Sequence, residues 1–384
     1  MNSSKLKILF SGMVAGDPHQ GGATWAVLQY VLGLRELGHD VLLVEPVKPT
    51  ALQPAGTLLV ESANASYFCD VMEQFQLTRH SALLEEGTRQ TIGLTYDAIV
   101  EFGRQADVLI NVSGMLTDRL LIDRIATRAY LDLDPAFIQI WHAVERIDMR
   151  LSGHTHFITV GLALGSPECR APTCGRRWIT TLQPVALSHW PVGTEIKHDA
   201  FTTVGNWRGY GSVHYDGEFL GQKAHSFREL MELPQLAGEK FLLAMAIHPD
   251  ETKDLSALHK AGWRLTDPGK VAANPLTYRE FIRQSKGELG VAKSGYVRSR
   301  CGWFSDRSAC YLAAGRPVVA QDTGFSRYLP TGEGLLAFNS LDDAIRAIDC
   351  VNENYPRHAR AARALAETHL SSAVVLPRLL QQLG

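Results

Sequence analysis

Short apolar runs alternate with amphipathic stretches along the chain. KLKILFSG (5–12) is short, apolar and closed by glycine, which predicts a buried strand. After the loop MVAGDPHQGG comes ATWAVLQYVLGLRELGH, where Trp25, Leu28, Val31, Leu32 and Leu37 recur at helical spacing, and DVLLVEPV (40–47) predicts the next strand. Strand, helix and strand within about forty residues form a βαβ unit, which implies a parallel sheet. Further strands are expected at 107–114, 128–135 and 156–162. Residues 163–200 break the pattern with Gly, Pro, two cysteines and SHWPVGTEIKHD, and read as a loop followed by a linker.

The pattern then restarts. FTTVGNW (201–207) and KFLLAMAI (240–247) predict strands around the helix AHSFRELMELPQL, and WRLTDP, GELGVAK, PVVAQDT and GLLAF predict shorter ones. LTYREFIRQS, SDRSACYLAA and SLDDAIRAIDCVNENY read as helices between or after them. The expectation is an α/β chain of two doubly wound, Rossmann-like domains facing a cleft. Their limits are 1–199, with a linker from about 185, and 200–384. No repeat is visible residue by residue, so the similarity of the halves is architectural. The closing stretch HARAARALAETHLSSAVVLPRLLQQLG predicts a terminal helix kinked at Pro377 and packed back on the amino-terminal domain.

Composition narrows the function. The 384 residues are too many for one core of ordinary size, and 38 basic against 40 acidic residues leave a formal charge of -2 with no polyanion footprint. Nucleic acid is therefore not the default partner. The opening MNSSKLKILFSG lacks a signal-peptide core, and no apolar stretch approaches membrane-spanning length, so a cytoplasmic location is expected. Cysteines stand at 69, 169, 174, 301, 310 and 350. The close pair in CRAPTC lacks zinc-site spacing and reads as reduced thiols, with a redox pair as the alternative.

Parallel sheets bind ligands beyond the carboxyl ends of their strands, and four such loops carry suitable groups. In the first, Gly21 and Gly22 open a helix whose N-terminus favours an anion, and Asp17 and His19 precede them. His19 could take a proton from a hydroxyl, or could be an ordinary surface histidine. In the second, Gly205 ends a strand, Arg208 follows and Lys223 heads the next helix; Arg and Lys on one loop can clamp a diphosphate. In the third, Lys293, Arg298 and Arg300 precede Ser305, a good N-cap, so that basic side chains and a helix N-terminus suit a nucleotide's phosphates. Trp303 and Phe304 there are core or a wall for a base or sugar. In the fourth, strand alternation places Asp132 and Asp134 on one face; they could serve as general base, hydroxyl binder or part of a metal site, or simply cap a loop before Pro135.

TTVGNWRGYG…GQKAHSFRELMELP and CGWFSDRSACYLAAGRPVVAQDTGFSRYLPTGEGLLAF together resemble the carboxyl-terminal half of GT-B fold glycosyltransferases of the glycogen-synthase-like group. GGATWAVLQYVLGLRELGHDVLLVE resembles that group's amino-terminal glycine pair, helix and strand, and residues 313–319, Ala-Ala-Gly-Arg-Pro-Val-Val, match its helix-ending motif. The resemblance implies transfer of a sugar from a nucleotide diphosphate sugar to an acceptor hydroxyl, without a metal or other cofactor. In that reading Gly22, Arg208, Lys223, Thr323 and Gly324 bind the donor diphosphate. Gly205, Lys293, Arg298, Arg300, Ser305 and Asp306 bind the nucleotide, and the acceptor, not identifiable from sequence, lies mainly against the first domain.

Retaining members of the group carry two glutamates where this chain has Gly302 and Cys310, and the second normally holds the ribose. Asp306, one helical turn earlier than Cys310, is the candidate replacement. An inverting enzyme would need a base, for which His19, Asp17 and Asp134 are the candidates. An epimerase or hydrolase on the same fold, and a nucleotide-sugar-binding protein without catalysis, are the alternatives.

Overall fold

Ile8, Leu9 and Phe10 are all buried, although successive strand side chains point to opposite faces, so β1 (Lys7–Ser11) must be covered on both sides. A computed structural model, describing residues 5–384, places β1 inside an eight-stranded sheet. The other strands of that sheet are β2 (Asp40–Val47), β3 (Ser81–Glu85), β4 (Thr91–Gly93), β5 (Val108–Val112), β6 (Thr127–Asp132), β7 (His156–Thr159) and β8 (Trp178–Thr180). Their order is β4-β3-β2-β1-β5-β6-β7-β8, and every pairing is parallel except that of β4 with β3. In register, Ile8 faces Val41 on one side and Val108 on the other.

The second half repeats the plan. Its strands are β9 (His198–Asn206), β12 (Phe241–Ala246), β13 (Arg264–Thr266), β14 (Ser285–Gly290), β15 (Val318–Gln321) and β16 (Leu335–Phe338), in the all-parallel order β13-β12-β9-β14-β15-β16. Between β9 and β12 the chain also makes a small antiparallel hairpin, β10 (Val213–Tyr215) with β11 (Glu218–Leu220). Both large sheets reverse their winding beside the first strand, between β1 and β5 and between β9 and β14. That reversal opens a crevice at the carboxyl ends of the strands.

Three features depart from the sequence reading. Trp178–Thr180, inside the expected loop and linker, adds β8 to the edge of the first sheet. β3 and β4 fill the stretch between β2 and β5, and the hairpin fills the long spacer between Arg208 and Lys223.

The halves meet along the helix Gly21–Glu36. Its Trp25 packs on Trp190 with ring centroids 5.0 Å apart and donates its indole N–H to the Pro275 carbonyl at 2.8 Å. The last helix, Ser372–Gln381, with Pro377 inside it, lies on the same first-domain helix; a Cβ on Gly33 would stand 2.4 Å from Ser372 Cβ. One hydrophobic core consequently runs from Ile8 and Phe10 through this helix to Tyr311 and Leu312 of the second half. No helix among the described residues is long and apolar enough to cross a membrane, and all six cysteines are free.

Candidate functional site

The carboxyl end of β9 is built around a residue without a side chain. A Cβ on Gly205 would lie 2.8 Å from Lys223 Nζ and 3.8 Å from Arg307 Nη1, so glycine is what lets two cations converge over the strand end. Lys223 heads the helix Lys223–Glu229, is only 8% exposed, and no described side chain hydrogen-bonds or ion-pairs with its ammonium. Burial pushes that ammonium down to about 7; the charge of Arg307 lowers it further, and Glu288 and Asp306 oppose. Arg307 is better held: Nε donates to Glu288 Oε1 at 2.6 Å and Nη1 to the Val204 carbonyl at 3.0 Å. Ser305 caps the helix Asp306–Ala313, its hydroxyl accepting the Arg307 N–H at 3.2 Å. Asp306 lies beside this cap, and burial raises its carboxyl above the usual range.

Gly205, Asp306 and Arg307 form one wall of a cavity of about 240 Å³, and His19, Gln20 and Gly22 form the wall opposite. The glycine pair is required by the close approach of the second half. Gly21 N–H donates to the Ala272 carbonyl at 2.8 Å, and a Cβ there would stand 2.3 Å from the Asn274 carbonyl oxygen. A Cβ on Gly22 would meet the Tyr278 ring at 3.0 Å. Arg307 thus faces the positive end of a sixteen-residue helix across a small cavity, and Lys223, with no hydrogen-bonded anion among the described residues, lies against Gly205 of the same wall. Such a place suits phosphate or diphosphate.

The remaining candidate residues divide between this cavity and other places. His19 is exposed on the cavity wall, with a φ of 66° and its ring edge-on to Tyr67, centroids 5.1 Å apart. Asp17 is exposed nearby but does not line the cavity. Arg208 leaves the cavity altogether: its side chain is 41% exposed and ion-paired with Glu251. Arg298 pairs with Glu218 at 3.0 Å, and Arg300 is exposed at a left-handed helix end. Thr323 donates its hydroxyl to the Trp303 carbonyl at 2.6 Å and Gly324 N–H donates to Asp322 at 2.8 Å, so the groups assigned to the diphosphate already have internal partners.

Asp132 and Asp134 do not act as a pair. Asp132 ends β6, is fully buried, and accepts from Gln139 Nε2 and Thr159 Oγ1, each at 2.8 Å. Asp134, already beyond the strand, reaches across to the second half. It accepts from the hydroxyls of Tyr210 and Tyr296 and pairs with Lys293 Nζ at 3.2 Å. Lys293 also sits 3.7 Å over the Tyr210 ring centroid. Burial pushes Asp134 up and Lys293 down to about 7. This is a latch between the halves, and it occupies both residues.

Phe304 is core, packed on Phe325, whereas Trp303 stacks on Tyr296 at 4.4 Å. Cys310 is buried and meets Gln29 Nε2 of the first helix at 3.6 Å. Gly302 is covered by first-domain backbone, since Leu162 N–H donates to its carbonyl at 3.3 Å. Sequence reasoning missed Arg307 and Glu288. The available signal was Glu288 in the otherwise apolar segment GELGV, because a buried charge needs a partner.

No protein-family model matches the chain, and no curated protein matches it by sequence. Solved structures do. An alpha-glucosyltransferase in complex with UDP and a 13-mer DNA superimposes with a TM-score of 0.61 at 12% identity, covering 99% of this chain and 100% of that one. Anabaena Alr3699/HepE in complex with UDP and glucose gives 0.56 at 12% identity over 98% and 99%. Sucrose-phosphate synthase from Thermosynechococcus elongatus gives 0.55 at 14% identity over 98% and 99%. These likenesses establish the fold: two Rossmann-like domains in the GT-B arrangement.

Proposed function

We propose that this protein transfers a glycosyl unit from a nucleotide diphosphate sugar to an acceptor hydroxyl. The observation that carries the proposal is the convergence of Lys223 and Arg307 on Gly205, which together with Arg307 lines a cavity faced by a helix N-terminus. A sugar–phosphate bond that breaks leaves negative charge on the diphosphate, and pre-placed cations stabilise that charge more than they stabilise the bound donor. Arg307 supplies fixed N–H donors, and Lys223 supplies an ammonium with no hydrogen-bonded anion of its own among the described residues. In this reading His19, which lines the facing wall, takes the acceptor proton. With two cations on the leaving group, the reading requires no metal. Relatives of the same fold bound to UDP or to UDP and glucose support a nucleotide sugar as donor.

The test is incubation with a panel of nucleotide sugars, measuring nucleotide diphosphate release with and without candidate acceptors. Release that accelerates when one acceptor is added, and that is lost in Lys223→Met, supports transfer. A second reading, nucleotide-sugar binding without catalysis, is favoured by one observation: Gly302 and Cys310, which stand where the group's glutamates would be, are buried in contacts between the halves. Lys223-dependent binding with no release under any acceptor would select it.

A further inference from the structure

Ala15 lies in a loop without regular structure, yet both its backbone polar groups are bonded to buried side chains. Glu45, near the end of β2 and fully buried, accepts the Ala15 N–H at 2.9 Å on each carboxylate oxygen and the Gly16 N–H at 2.6 Å. Asn64, also fully buried, donates Nδ2 to the Ala15 carbonyl at 2.7 Å. The helix that carries Asn64, Ala63–Gln74, also sends Tyr67 to Thr24, hydroxyl to hydroxyl at 2.9 Å, and sets its ring against His19. There is little slack: a Cβ on Gly16 would stand 3.3 Å from Glu45 Oε1. A buried carboxylate is a costly way to satisfy two N–H groups, and burial pushes this one up to about 7 although those bonds pull it down. Two oxygens on one rigid group are what a single amide cannot offer to both donors.

We propose that Glu45 is a positioning residue: its carboxylate fixes the loop Met13–Gln20 so that His19 stands on the wall of the cavity lined by Gly205 and Arg307. Glu45 acts through the backbone of Ala15 and Gly16, and the cavity wall does not include it. The proposal rests on the glycosyl-transfer reading for its kinetic consequence, and on loop geometry alone for its structural one.

Glu45→Gln tests both. The amide keeps the shape but turns an N–H donor toward the backbone donors. The expected results are a displaced or broadened His19 imidazole signal in the NMR spectrum of the free protein and UDP or GDP affinity within threefold of wild type, because the two cations belong to the other half. Turnover should fall at least tenfold at unchanged donor KM. Glu45→Asp, which keeps the charge, should recover part of the loss. If Glu45→Gln does not fold, Gly16→Ala strains the same bond with the carboxylate present and should move the same signal. An unmoved His19 signal together with unchanged turnover would overturn the proposal. Should the wild-type protein release no nucleotide diphosphate with any donor and acceptor, the transfer reading fails, and the His19 signal alone decides the role of Glu45.

Discussion

Replacing Lys223 by methionine keeps the length of the side chain and removes the charge, so it separates what the ammonium costs from what it does. In the fold the group sits at about 7, against 10.5 for a free lysine. Because the folded value is the depressed one, the unfolded chain binds more protons between those two values, and stability rises as pH increases through that window. Below pH 7 the full penalty applies. Worked through the linkage relation, the penalty is at most roughly 4 to 5 kcal/mol at pH 6.5 and about 1 to 2 kcal/mol at pH 9.5, a difference of about 3 kcal/mol. For a domain of 150–250 residues that difference corresponds to roughly 6 to 12 °C in the unfolding midpoint. Lys223→Met should therefore melt higher than wild type at pH 6.5, with the gap narrowing by that amount at pH 9.5, as read by scanning calorimetry. The same variant should bind UDP or GDP about 10- to 100-fold more weakly, the usual worth of a charge-assisted hydrogen bond. Parallel pH dependence of the two melting points would refute the depressed ammonium, and unchanged nucleotide affinity would refute its role.

Binding of the nucleotide diphosphate at pH 8 should take up a fraction of a proton, since the incoming anion restores the charge on Lys223; calorimetry in buffers of different ionisation enthalpy measures it, and no buffer dependence would count against the site. Arg208→Ala should leave affinity within threefold, because that side chain pairs with Glu251 outside the cavity, and a tenfold loss would return it to the diphosphate. Gly21→Ala should lower the unfolding midpoint and expand the molecule in solution scattering, because its Cβ would stand 2.3 Å from the Asn274 carbonyl oxygen. Asp134→Asn, which leaves Lys293 without its carboxylate partner, should cost about 3 kcal/mol and raise sensitivity to proteolysis between the halves, with nucleotide affinity preserved.

Much of the fold was legible because parallel strands buried on both faces read as continuous apolar runs. Ile8 to Phe10, Val41 to Val44 and Leu242 to Ala244 announce themselves. Apart from β3, the strands that escaped notice lie at edges or outside the main sheets. Trp178, Ile179 and Thr180 are each only half-buried, and β4 and the hairpin β10–β11 are three residues long with mixed polarity. Their pairing is decided by neighbours distant in sequence, which local pattern does not carry.

The site divides along the same line. Gly205 and Lys223 could be found because each stands at a predictable boundary, a strand end and a helix start, where a parallel sheet presents its ligands. Arg208 satisfied the same positional rule and failed, since an exposed arginine two residues beyond a strand takes whichever carboxylate is nearest, here Glu251. Arg307 also stands at a helix start, where the sequence points to Ser305 and Asp306 instead, and it reaches the cavity because Glu288 and the Val204 carbonyl hold its guanidinium at the end of β9. Asp134 shows the converse: correctly placed after a strand, it is claimed by two tyrosines and a lysine from two segments more than seventy residues away. What the chain states locally is where ligands can be presented. Which charges remain free to meet them depends on long-range pairing, and a buried charge with no partner among the described residues, as with Lys223, is the physical basis for proposing a ligand there.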